Sequence, residues 1–185
     1  MAAAVHRSRA PLRRALSRWP AGGAFWFAGW IGGLLTESFA ILGNLSKPPA
    51  ERILLHPRPP VDLLFGTIYY GLFMGLWVFL RNRWSFSKSG VFVISGLFGL
   101  ATEQGGAIIR GIVAQPILGG LLGILVMSVY GVFPAQALLL VENRWPARPR
   151  PGFRAVGAAA LGFFLFWAAY GLGVHRVLLA VFPKF

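Results

Sequence analysis

The chain has 185 residues, 56% of them hydrophobic and only 12% charged, with a mean hydropathy of +0.65. Soluble domains carry about 25% charged residues, so this chain has too little polar surface to coat a globule in water and the bilayer is its natural solvent. The net charge of +13 sits in connecting segments without a recognition motif, and no cysteine is present; nucleic-acid binding, disulfides and thiolate chemistry are thereby argued against, while attraction to anionic lipid is expected.

Residues 1–20, with Arg7, Arg9, Arg13, Arg14 and Arg18, form a basic, acid-free tail. The apolar run after it is too long for a signal peptide and lacks a small-residue cleavage site, so the tail is expected to be cytoplasmic and to orient the first span. Five apolar spans follow, at 21–43, 63–80, 91–109, 116–141 and 155–175. The short connections 81–90 (Arg81, Arg83, Lys88) and 142–154 (Arg144, Arg148, Arg150, Arg154) are the strongly basic ones. The positive-inside rule then places the N-terminus inside and the C-terminus outside, as in a bacterial inner membrane. Trp84 and Trp145 are expected as anchors at the inner interface. Pro48-Pro49 predicts a short helix over the residues leading to His56, and Pro134 predicts an irregularity in the fourth span.

Two spans share a pattern. Gly29, Gly33, Thr36, Glu37, Ala40 and Asn44 are echoed 66 positions later by Ser95, Gly99, Thr102, Glu103, Gly106 and Arg110. The spacing i, i+4, i+7, i+8, i+11, i+15 lies along one helix face. Tyr70-Gly71-Leu72-Phe73 is echoed by Tyr130-Gly131-Val132-Phe133, and Asn82-Arg83-Trp84 by Asn143-Arg144-Trp145. The expected fold is therefore an all-α membrane protein of five transmembrane helices. It comprises a duplicated two-helix hairpin in parallel repeat (about 21–84 and about 91–145) plus one extra C-terminal helix (about 155–175), all in a single domain over 21–185. Gly71/Gly75, Gly119/Gly123 and Gly171 offer close-packing surfaces for a homo-oligomer.

An acid at membrane depth is costly and marks a site by default. If the first and third spans pack through their small residues, Glu37 and Glu103 face each other and form a proton or cation site, with Thr36 and Thr102 as hydrogen-bonding partners. Arg110, His56, Arg58, Asp62, Tyr69, Tyr70 and His175 would gather at the outer mouth, where they could meet a head group or small polar solute. No metal-ligand spacing, nucleotide loop or hydrolase motif is present, so neither metal nor cofactor is expected. Three functions are compatible with this pattern. The first is a small carrier or channel-like protein using the acids as a protonatable or cation-binding pair. The second is a membrane enzyme acting on a lipid or isoprenoid-like substrate. The third is a non-catalytic scaffold or assembly subunit in which the acids specify helix pairing.

Overall fold

A computed structural model describes residues 9–184; Arg7 and the start of the basic tail lie outside the described residues. The helices are α1 (Arg9–Leu16), α2 (Ala21–Asn44), α3 (Pro59–Arg81), α4 (Lys88–Thr102), α5 (Ala107–Ala114), α6 (Pro116–Val141), α7 (Phe153–Ala169) and α8 (His175–Val181). A π-helical turn, Tyr170–Val174, joins α7 to α8. Among the described residues there is no strand. Four helical stretches, Ala21–Asn44, Pro59–Arg81, Pro116–Arg144 and Phe153–Val181, are long and apolar enough to cross a membrane.

The third apolar run departs from the expected continuous span. It breaks into α4 and α5, which meet at 86° across the 3-10 turn Glu103–Gly106. Gly105 and Gly106 have φ of 63° and 81° there, a left-handed conformation that side chains resist and glycine adopts freely. With 15 residues, α4 extends only ~22 Å, short of the ~30 Å hydrocarbon layer. The bent pair makes a fifth span only if its two halves are counted together. As a consequence Arg110 no longer continues the helix face of Glu103. The connector after α2 also differs: only Pro49–Glu51 is helical, as a single 3-10 turn. Its remainder is knitted by Arg52, which donates to the carbonyls of Lys47 (3.1 Å) and Pro57 (2.8 Å), and by Asn44 Oδ1, which accepts the Ile53 N–H.

Helix α6 is the hub, packed on α2, α4 and α5, while α3 pairs with α2 and touches α7. It runs unbroken through the buried Pro134. Between α2 and α3, the indoles of Trp26 and Trp30 donate to the carbonyls of Gly71 (2.8 Å) and Thr67 (3.0 Å). An N–H at this depth has no water to turn to, so these bonds fix the register of the pair. The core is aromatic: Phe73 lies within 5.1–5.9 Å of the Phe98, Phe133 and Phe163 rings, and the buried Trp77 donates to Ser95 Oγ at 2.8 Å. At the basic end the Arg81 guanidinium lies 5.1 Å over the Trp145 ring and donates to the Phe86 carbonyl. Trp145 is thus buried against α2 and α3. Of the glycines expected to serve an oligomer, Gly71 packs within the chain against Trp26 and Trp30 of α2, and Gly119 and Gly123 against Gly111 and Ile112 of α5.

Candidate functional site

Gly33 and Glu37 are one helical turn apart on α2. The missing side chain at Gly33 lets the Tyr70 ring of α3 lie flat across the helix; a Cβ at Gly33 would stand 2.5 Å from Tyr70 Cγ. This placement carries the phenol one turn along, where its hydroxyl donates to Glu37 Oε2 at 2.8 Å. Glu37 is 8% exposed and packs on Gly66 of α3. Its second neighbour is Asp62, in the first turn of α3 and fully buried, close enough for the two carboxyl groups to influence each other's charge. Asp62 Oδ1 accepts the His56 backbone N–H at 2.8 Å. Its Oδ2 is buried and meets no N–H or hydroxyl donor. A hydrogen bond between the two would require a shared proton, since an ionised carboxylate only accepts.

The same relation recurs at the helix break. A Cβ on Gly99 would collide with the Tyr130 ring of α6, and the Tyr130 hydroxyl donates to Glu103 Oε2 at 2.6 Å. Glu103 opens the 3-10 turn and is partly exposed. Tyr69 lies between the two halves: its ring meets Tyr70 edge-on at 5.2 Å. The polar groups thus run Asp62, Glu37, Tyr70, then Tyr69, Tyr130, Glu103.

The expected meeting of the two small-residue faces is not what the chain does. Helices α2 and α4 share no extended contact, because each glycine surface is already filled by the tyrosine ring of the long helix that follows it. The carboxyl nearest Glu37 is that of Asp62 on α3, not that of Glu103. The hydroxyls of Thr36 and Thr102 donate to the carbonyls four residues back, Gly32 (3.0 Å) and Phe98 (2.8 Å), and not to either acid.

At the Asp62 end of the chain of polar groups His56 is fully buried. Its Nδ1 accepts the Arg58 backbone N–H at 3.1 Å, its Nε2 lies 3.4 Å from the Pro183 carbonyl, and its ring packs on Phe65. The π turn brings Tyr170 and His175 into this cluster. Their rings stack at 6.0 Å, and the Tyr170 hydroxyl donates to the Phe65 carbonyl at 3.1 Å. Arg58 contributes only its backbone, its side chain being exposed. Arg110 is exposed too and donates to the Gly105 carbonyl at 3.1 Å, closing the α4–α5 corner. Among the described residues no three His, Asp or Glu side chains are placed to hold a metal ion.

Tyr130 and Tyr170 are the participants that sequence reasoning missed. The echo of Tyr70-Gly71 in Tyr130-Gly131 was the available signal for the first. In an antiparallel hairpin the residue facing Gly33 has its counterpart facing Gly99, so the tyrosines follow as the partners of the acids. Nothing in the local sequence around Tyr170 gives a comparable clue, because its position depends on the π turn.

The architecture is consistent with a helical membrane protein. No family model matches the chain, and no curated protein or solved structure is similar to it.

Proposed function

We propose that the chain is a small multi-pass carrier in which Asp62 and Glu37 hold an exchangeable proton, with Tyr70, Tyr69 and Tyr130 extending the polar path to Glu103. The observation that carries this reading is the carboxyl pair: two neighbouring acids, both buried, to which the Tyr70 phenol and the His56 backbone N–H donate. Packing alone needs no such pair, since an amide or an apolar side chain fills the same volume without an ionisable group, and buried acids of this kind serve proton and ion pathways. The break at Glu103–Gly106 gives further support. Non-helical backbone at membrane depth is tolerated where protein or a water-filled space satisfies it, and carriers use such half-helix ends to bind ions.

In this reading the protein is an integral inner-membrane protein with its N-terminus cytoplasmic and its C-terminus outside. The matched Gly33–Tyr70–Glu37 and Gly99–Tyr130–Glu103 contacts support descent from a duplicated hairpin. Reconstituted into vesicles holding a pH-sensitive dye, the full chain should move protons when a sodium or potassium gradient is imposed. Glu37→Gln and Asp62→Asn should each abolish that movement, and Tyr70→Phe should slow it. Proton movement that is unaltered in the Glu37→Gln, Asp62→Asn double variant would overturn the proposal.

One observation favours a second reading, an enzyme acting on a lipid or isoprenoid-like chain. An apolar groove of about 300 Å³ between α4 and α7, lined by Phe98, Phe163, Phe164 and Trp167 among others, reaches Thr102, next to Glu103. Under this reading Ala160→Trp, which blocks the groove, would abolish turnover of a bound isoprenoid-like chain while leaving vesicle proton movement intact.

A further inference from the structure

At the basic end of the molecule the N-terminal helix α1 is fastened to the end of α6 by two arginines. Arg144 Nη1 lies 3.1 Å from each of the Leu16, Ser17 and Trp19 carbonyls, so one nitrogen serves the last carbonyl of α1 and two in the turn after it. Its Nη2 and Nε take no part in those bonds. Arg13 Nη2 donates to the Leu139 carbonyl at 2.7 Å, while Arg13 Nε is buried without an acceptor among the described residues. The nearby carboxylate does not neutralise the pair. Glu142 is engaged by Lys88 at 3.0 Å and stands 4.0 Å from Arg13, so one carboxylate is shared between two cations. Between the arginines lies a cavity of about 100 Å³ lined by Arg13, Leu140, Asn143 and Arg144. A pocket of this volume suits a phosphate group and not a whole head group.

We propose that this corner is a phosphate-binding site and that the phosphate it takes belongs to the head group of an anionic phospholipid. Guanidinium groups with unused, forked N–H donors match phosphate oxygens in geometry as well as charge. The Asn143 amide adds a further donor or acceptor at the rim. The site's position argues for lipid over free phosphate. It sits where α6 leaves its apolar stretch, with Leu140 as one wall, Trp145 immediately after it and Trp19 exposed beside it, the depth at which lipid phosphates lie and aromatic side chains gather. The site is independent of the carboxyl pair.

The test uses the full chain in an uncharged detergent, titrated with short-chain phosphatidylglycerol and, separately, with inorganic phosphate, with bound ligand counted by native mass spectrometry. Saturable binding of one phosphatidylglycerol is expected. Asn143→Leu fills the cavity without changing net charge and should weaken binding about tenfold or more, the effect of losing a hydrogen bond to a charged group. Arg13→Gln should do the same. Arg154→Gln removes a cation from the same end of the chain but outside the cavity and should leave binding unchanged. If Arg13→Gln fails to fold, Asn143→Leu still decides. Binding that is unsaturable, or that follows total charge and ignores Asn143→Leu, would overturn the proposal. Inorganic phosphate binding as tightly as the lipid, with the same dependence on Asn143, would overturn the assignment to a lipid.

Discussion

Replacing Gly33 by alanine isolates the contact on which the Glu37 arrangement rests. The new Cβ would stand 2.5 Å from Tyr70 Cγ and Cδ1 and 3.0 Å from Tyr70 Cβ. These atoms are the root of the side chain, so relief requires α2 and α3 to separate and the Tyr70 hydroxyl to withdraw from Glu37. Overpacking of this kind costs about 1–3 kcal/mol. An exchange of glycine for alanine in a helix also brings a propensity gain of about 1 kcal/mol, which would mask part of that cost. Gly75→Ala supplies the correction: Gly75 lies in α3 with nothing within 4 Å of its Cβ direction, so it reports the propensity gain alone. Gly33→Ala should therefore fall about 1–3 kcal/mol below Gly75→Ala. Gly29→Ala should lie between them, since the atoms it meets, Met74 Sδ and Cε, are the far end of a flexible side chain. Reversible unfolding of the full chain in mixed micelles measures all three. Equal stability of Gly33→Ala and Gly75→Ala would refute the claim that glycine is needed to seat Tyr70.

Three further substitutions have expected outcomes in the same assay. Gly106→Ala, at a φ of 81°, should lose about 1–2 kcal/mol because a Cβ is strained in that conformation, whereas Arg110→Ala at the same exposed corner should change stability by no more than about 0.5 kcal/mol. Trp77→Phe leaves the buried Ser95 hydroxyl without its indole donor and should cost about 1–3 kcal/mol, with most of that loss absent in a Ser95→Ala background. Lys88→Gln breaks an exposed pair with Glu142 and should cost less than about 1 kcal/mol, an effect that high salt removes.

The apolar runs and their approximate limits were legible because each has a direct signature in composition and spacing. The partners of the acids were not, and the reason is geometric. A stripe of small residues declares that something approaches closely, but not what. The neighbour proved to be the following helix, through Tyr70 and Tyr130, and not the other stripe. Asp62 was readable only as a residue near the outer surface, because its burial beside Glu37 depends on how α3 enters the bundle after the rigid His56–Pro60 segment. The break after Thr102 had its sign in Gly105-Gly106, yet an uninterrupted apolar run hid it, since hydropathy is blind to backbone dihedrals. Tyr170 and His175 depend on a π turn, which leaves no mark in residue periodicity.

The central claim is that Asp62 and Glu37 share a proton inside the helix bundle. Infrared spectroscopy of the full chain in lipid tests it most directly, through the C=O stretch that only a protonated carboxyl group shows. The account predicts that this band is present at neutral pH, is removed by Glu37→Gln combined with Asp62→Asn, and shifts when Tyr70→Phe withdraws the phenol from Glu37. A spectrum lacking the band in the unmodified protein, or one left unchanged by the double substitution, would contradict it.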